Sequence, residues 1–112
     1  MGIWKNETSP YATTYDSKKF SFYLDEESFT NNKSHFYLIV EPSITFNKFY
    51  CTAYNHNKIS SNEKFENKFT ADSIEKAKEI VEKMIYDAYD NRIAELEKEI
   101  LYCREQQRKV KG

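Results

Sequence analysis

Residues 72–109, DSIEKAKEIVEKMIYDAYDNRIAELEKEILYCREQQRK, decide the fold. The segment holds no Gly and no Pro, the residues that most often end a helix, so it predicts one long amphipathic helix. Asp72 offers a side-chain acceptor with Glu75 three residues on, the pattern of a capping box, which makes Asp72 the expected N-cap. Ile74, Ala77, Val81, Met84 and Ala88 repeat at alternating steps of three and four, and Ile93, Leu96, Ile100 and Cys103 do the same further on. The two stripes are out of register. Stepping from Val81 through Ile85 and Tyr89 to Ile93 inserts an extra four-residue step, a stutter that turns the apolar seam around the helix.

The two halves are therefore expected to do different work. About 37 residues at ~1.5 Å rise span roughly 55 Å, whereas a sheet of ordinary strands covers about 20 Å of that. The first half is expected to cover a sheet. If the second half stood alone, Ile93, Leu96 and Ile100 would face water and forfeit on the order of 5 kcal/mol relative to burial. It is thus expected to pair, with its own copy as a short coiled coil or with a different protein. A break at Asp90–Asn91, folding the second half back as an antiparallel helix, is the competing arrangement. Glu79 with Lys83, Lys78 with Glu82, and Glu105 with Lys109 are spaced as i, i+4 ion pairs on the open face. Arg104, Arg108, Lys109 and Lys111 give a basic end, which either complements the helix dipole or meets an acidic partner.

Ahead of the helix the periodicity changes from 3.6 to 2. Lys19–Leu24 (KFSFYL) sets Phe20, Phe22 and Leu24 on one face, and Ser34–Val40 (SHFYLIV) is apolar on both faces, as a central strand would be. Pro42 cannot donate to a ladder and marks a strand end. Lys48–Asn55 (KFYCTAYN) and Lys64–Thr70 (KFENKFT) read as two further strands, separated by polar loops that include residues 25–34. Residues 1–18 read as an irregular arm or one weak strand, with Trp4 docking on the core. The expected fold class is α+β: a three- or four-stranded antiparallel sheet packed on one face by a long C-terminal helix. Its expected divisions are an N-terminal arm (1–18), a core of sheet plus covering helix (19–89) and a distal helix extension (90–112).

Fifteen of the eighteen aromatic residues precede Asp72 and so fall on or beside the sheet. With the phenylalanines turned to the helix, the opposite face would show Tyr23, His35, Tyr37, Tyr50 and Tyr54. Tyrosine joins an apolar body to a polar tip and is enriched at interfaces, which makes this face a candidate protein-binding site. Aromatic sheet faces also stack RNA bases, so nucleic-acid binding is the alternative. Ordinary strand tyrosines partly covered by the arm are the third reading. Charge does not favour the second: residues 1–71 carry eight Lys and eight acids, and 72–112 carry nine Lys or Arg against ten acids.

The chemistry of catalysis is thinly supplied. His35, His56, Cys51 and Cys103 have no spacing that suggests a triad or a metal-ligand set, and phosphate-cradling loops need interior glycines that this chain lacks. His56 lies in a turn-like Asn-His-Asn, and Asp25-Glu26-Glu27 reads as a solvated loop. No enzymatic activity, metal or cofactor is expected. Both cysteines read as buried free thiols. MGIWKNETSP has no apolar run to act as a signal peptide and no segment approaches a membrane span, so a soluble, cytoplasmic protein is expected.

The FYLIV and FYCTAY strands and the FTADSIEKAKEIVEKMI passage into the helix, within residues 19–89, resemble small phage-encoded and mobile-element proteins built as a sheet followed by one helix. That group includes anti-CRISPR inhibitors. It shares a plan and no motif, so no site residue follows from it. The resemblance implies a stoichiometric inhibitor or adaptor that binds a host protein or nuclease complex in a bacterial cytoplasm. From the residues, the surfaces assigned to this work are the tyrosine face and, on the helix, Ile93, Leu96, Ile100, Arg104 and Arg108. A homodimerisation module is the remaining alternative.

Overall fold

The computed structural model describes residues 2–33, 36–43, 47–55, 59 and 64–112. Five strands form one antiparallel meander in sequence order: β1 (Ile3–Asn6), β2 (Lys18–Tyr23), β3 (Phe36–Pro42), β4 (Phe49–Asn55) and β5 (Glu66–Ala71). A one-turn helix α1 (Glu26–Thr30) links β2 to β3, and α2 (Ile74–Lys111) follows the sheet. The fold is thus α+β, as the patterning predicts, with one strand more than expected.

The additional strand comes from residues 1–18, read as an irregular arm or one weak strand, and the second of these holds at Ile3–Asn6. Ile3 to Asn6 pair with Tyr23 to Phe20, which sets Trp4 opposite Phe22 on the inner face. Their rings lie 4.7 Å apart, and the Trp4 indole N–H donates to Glu82 Oε1 of α2 at 2.9 Å. A short polar strand acquires its place through this one aromatic anchor. Gly2 belongs to the same junction, because a Cβ there would run into the buried Phe22 ring.

Alternation fills the layer between sheet and helix. Phe20, Phe22, Phe36, Leu38 and Val40 point inward, joined by Cys51, Ala53 and Phe65, while Ala77, Val81 and Ile85 cover them from α2. The small Cys51 and Ala53 on β4 leave room for the helix, and Ile74, Ile80, Met84 and Ala88 pack at its margins. Leu24, expected inward, falls just past the end of β2 and is exposed.

The helix begins one residue later than the capping-box pattern suggests. Ser73, in extended backbone geometry, accepts the Lys76 N–H on Oγ at 3.1 Å, so Ser73 is the N-cap and Asp72 lies outside. With Lys76 at the third helical position the reciprocal half of a capping box is missing. α2 then runs unbroken for 38 residues through Asp90 and Asn91, which removes the fold-back arrangement. The predicted i, i+4 pairs give way to others: Lys76–Glu79, Lys78–Glu75, Arg92–Glu95 and Arg108–Glu105 at i, i+3, and Lys83–Asp87, which keeps the i, i+4 spacing with a different partner for Lys83. The reason is partly tertiary. Glu82 is taken by Trp4, and Lys78 swings over the Trp4 and Phe20 rings at 5.9 and 4.8 Å.

Residues 25–34, expected to be a loop, instead hold α1. Asp25 accepts the Ser28 N–H at 2.7 Å as its N-cap. At the other end Asn32 adopts φ 54°, its N–H donating to Phe29 O and the Lys33 N–H to Ser28 O, the paired bonds of a Schellman cap. Asparagine is among the few residues that tolerate this left-handed geometry.

Candidate partner-binding surfaces

Two surfaces remain once the core is closed, and both follow from the parity of the strands and the length of α2. The outer face of the sheet carries Lys19 and Ser21 of β2, Tyr37, Ile39 and Glu41 of β3, Tyr50, Thr52 and Tyr54 of β4, and Glu66 and Lys68 of β5. Tyr37 and Tyr54 are direct cross-strand partners, and their rings stack at 5.1 Å with planes 23° apart. The Lys19 ammonium lies 5.0 Å from the Tyr37 ring centroid. Both tyrosines are half-buried, and Tyr50 is exposed. Tyr50, opposite Glu41, offers an open ring flanked by carboxylate and hydroxyl groups. Among the described residues Lys19 and Lys68 are balanced by Glu41 and Glu66, and Lys5 is paired with Glu7, so these residues form no cationic track for a phosphate backbone.

Tyr23 requires a correction. It belongs to this face by parity, yet only 2% of it is exposed. α1 folds over it: Phe29 meets its ring edge-on at 5.3 Å, and its hydroxyl donates to Asn32 Oδ1 at 2.9 Å. The capped turn hidden in residues 25–34 thus converts a candidate contact residue into an anchor. His35 and His56 lie outside the described residues.

The second surface is the distal half of α2. Beyond Tyr89, whose ring meets Phe36 at 6.4 Å, the helix leaves the sheet. Ile93, Leu96 and Ile100 are 52, 40 and 49% exposed, and Arg104 and Arg108 are exposed further along. Arg108 pairs with Glu105 at 3.2 Å. Leu101, Tyr102 and Val110 are open to solvent as well, and the 3-4 spacing of the stripe did not single them out. Cys103 is exposed, contrary to the buried thiol expected of it, because it continues the stripe that no part of the chain covers; Cys51 is buried.

Among the described residues no group of three or more His, Cys, Asp or Glu is placed to hold a metal ion, and no helix is long and apolar enough to cross a membrane. Burial pushes the Cys51 thiol up to about 11, a structural effect. Asp25 is held below the usual carboxylate range by the Ser28 backbone N–H and then by the Ser28 side chain. Comparison of the chain with protein-family models, with curated proteins and with solved structures found no match.

Proposed function

We propose that this chain is a non-enzymatic protein-binding module that acts by stoichiometric association, as an inhibitor or adaptor whose working surface is the distal half of α2. The observation that carries the reading is the Ile93–Leu96–Ile100 stripe, about half exposed on a helix that has left its own sheet. An apolar stripe of this kind, flanked by charge, is how amphipathic helices engage a groove or another helix. The Tyr50 side of the sheet is a second contact surface in this reading, with Tyr37 and Tyr54 stiffening it. The plan-level resemblance to small phage-encoded inhibitors supports a bacterial cytoplasmic setting and a host protein or nuclease complex as the target.

A tagged chain and its Leu96→Asp variant, incubated with host lysate and then washed with and without nuclease, test the proposal. The wild type is expected to retain one protein in stoichiometric amount and Leu96→Asp to lose it while keeping its circular dichroism spectrum. Recovery of nucleic acid alone, with every protein released by nuclease, would transfer the function to the tyrosine face and overturn the assignment to α2.

A further inference from the structure

Resting on the proposal that distal α2 is an association surface, we infer that in the free protein, before a target is engaged, it is covered by a second copy of the same helix, paired in parallel as a two-stranded coiled coil over residues 86–111. The stripe is longer than its aliphatic centre. Counting Ile93 as position a places Tyr86, Ile100 and Gln107 at a as well, with Tyr89, Leu96, Cys103 and Val110 at d. That is more than three heptads without a slip, the length at which such a pattern argues for a coiled coil. The same frame run backwards meets Glu82, Glu79 and Glu75, so the seam starts where α2 leaves the sheet. Every seam residue beyond Ile85 is exposed in the single chain, Tyr86 at 70% and Val110 at 88% included.

Charge identifies the occupant. Positions e and g border the seam, and in a parallel pair each g residue meets the e residue five places on in the other strand. Here Glu99 at g meets Arg104 at e, and Arg92 at g meets Glu97 at e, opposite signs in each case and each occurring twice by symmetry. Among the described residues Glu97, Glu99 and Arg104 make no ion pair within their own chain, Arg92 holds Glu95 at 3.0 Å and would exchange it for Glu97 on pairing, and Glu105 and Arg108, which point away from the seam, pair with each other. Ile at both central a positions with Leu at d favours two parallel strands. Gln107 settles the direction: in parallel it faces its own copy and the two amides bond to each other, while antiparallel pairing of the same residues sets it against Tyr89.

Sedimentation velocity across a concentration series reads the first part. The account expects twice the 13.4 kDa chain mass, a monomer for Leu96→Asp, a dimer weakened roughly five-fold or more by Arg104→Glu, and recovery in Glu99→Arg/Arg104→Glu. Orientation is read by Ile93→Cys in a Cys103→Ser background treated with diamide, which takes two electrons and two protons from a thiol pair. In the parallel pair the two 93 positions meet and a covalent dimer forms. In antiparallel pairing of the same residues, 93 lies opposite 103, the two 93 positions stand about 15 Å apart along the axis, and none forms. A wild-type monomer at every concentration overturns self-pairing, and a dimer without the 93–93 crosslink overturns the parallel arrangement. If the chain is monomeric yet still retains a different protein through Leu96, self-pairing alone has failed and the binding-module reading stands.

Discussion

Cys51 sits in the centre of β4 among the side chains that α2 covers, its thiol contacting the Phe49 carbonyl at 3.7 Å and its pKa raised to about 11 by burial. In the unfolded chain the thiol ionises near 9, so the folded state alone keeps the proton between those values. This contribution to stability is complete below about pH 9 and is lost as pH rises through about 11. Thermal unfolding is therefore expected to lose part of its alkaline pH dependence in Cys51→Ala, measured as the difference in slope from wild type between those pH values. Equal slopes would place the thiol in water. At the helix start, Ser73→Ala is expected to cost about 1 kcal/mol in urea unfolding and Asp72→Ala much less, because Ser73 supplies the capping oxygen. The reverse order would move the cap back to Asp72. Asn32→Ala removes both a residue suited to φ 54° and the acceptor of the Tyr23 hydroxyl, with an expected loss of about 1–3 kcal/mol. Asn32→Gly is expected to recover the backbone part only, a split that urea unfolding of both variants resolves.

At the scale of elements, α2 divides at Tyr89 without a break in the helix. Ile85→Ala, in the covered half, is expected to cost about 2–5 kcal/mol by cavity formation, and Ile93→Ala, half exposed, far less in a dilute chain. Similar losses at both sites would mean that the distal half is packed. The sheet and its helical lid were legible because the pattern changes cleanly from period 2 to 3.6 at Asp72, and because Phe36, Leu38 and Val40 alternate without interruption. Two elements were less legible: the sequence allows β1 only as an alternative to an irregular arm, and α1 reads as loop. β1 has four residues and one large inward side chain, so its strand character comes from Trp4 meeting Phe22 and Glu82, contacts distant in sequence. α1 is one turn in a run of polar residues, fixed by Asp25 and Asn32 at its ends, and its presence reassigns Tyr23 from surface to interior. Of the candidate site residues, those on α2 followed directly from spacing. Those on the sheet depended on strand ends and on what covers each face.

The whole molecule is long for its size. A compact domain of 112 residues has a radius of gyration near 13 Å, whereas this chain measures 18.6 Å with extents of 68 × 34 × 20 Å. The excess is the distal helix, some 20 residues that add length and bury almost nothing. A chain ending at residue 91 is expected to keep the five strands and the covered half of α2, to fold cooperatively, and to fall toward the compact radius in solution scattering; failure to fold would make the distal half part of the core. A helical segment that packs against nothing is held only by its own propensity and surface pairs, so its order depends on what it joins. Hydrogen exchange along α2 measures that dependence directly. In a dilute, monomeric chain the amides of residues 92–111 are expected to exchange far faster than those of 77–88, and to become protected when the chain associates. Equal protection of both halves in the monomer, or distal amides that stay unprotected after association, would contradict the assignment of distal α2 as the surface through which this protein acts.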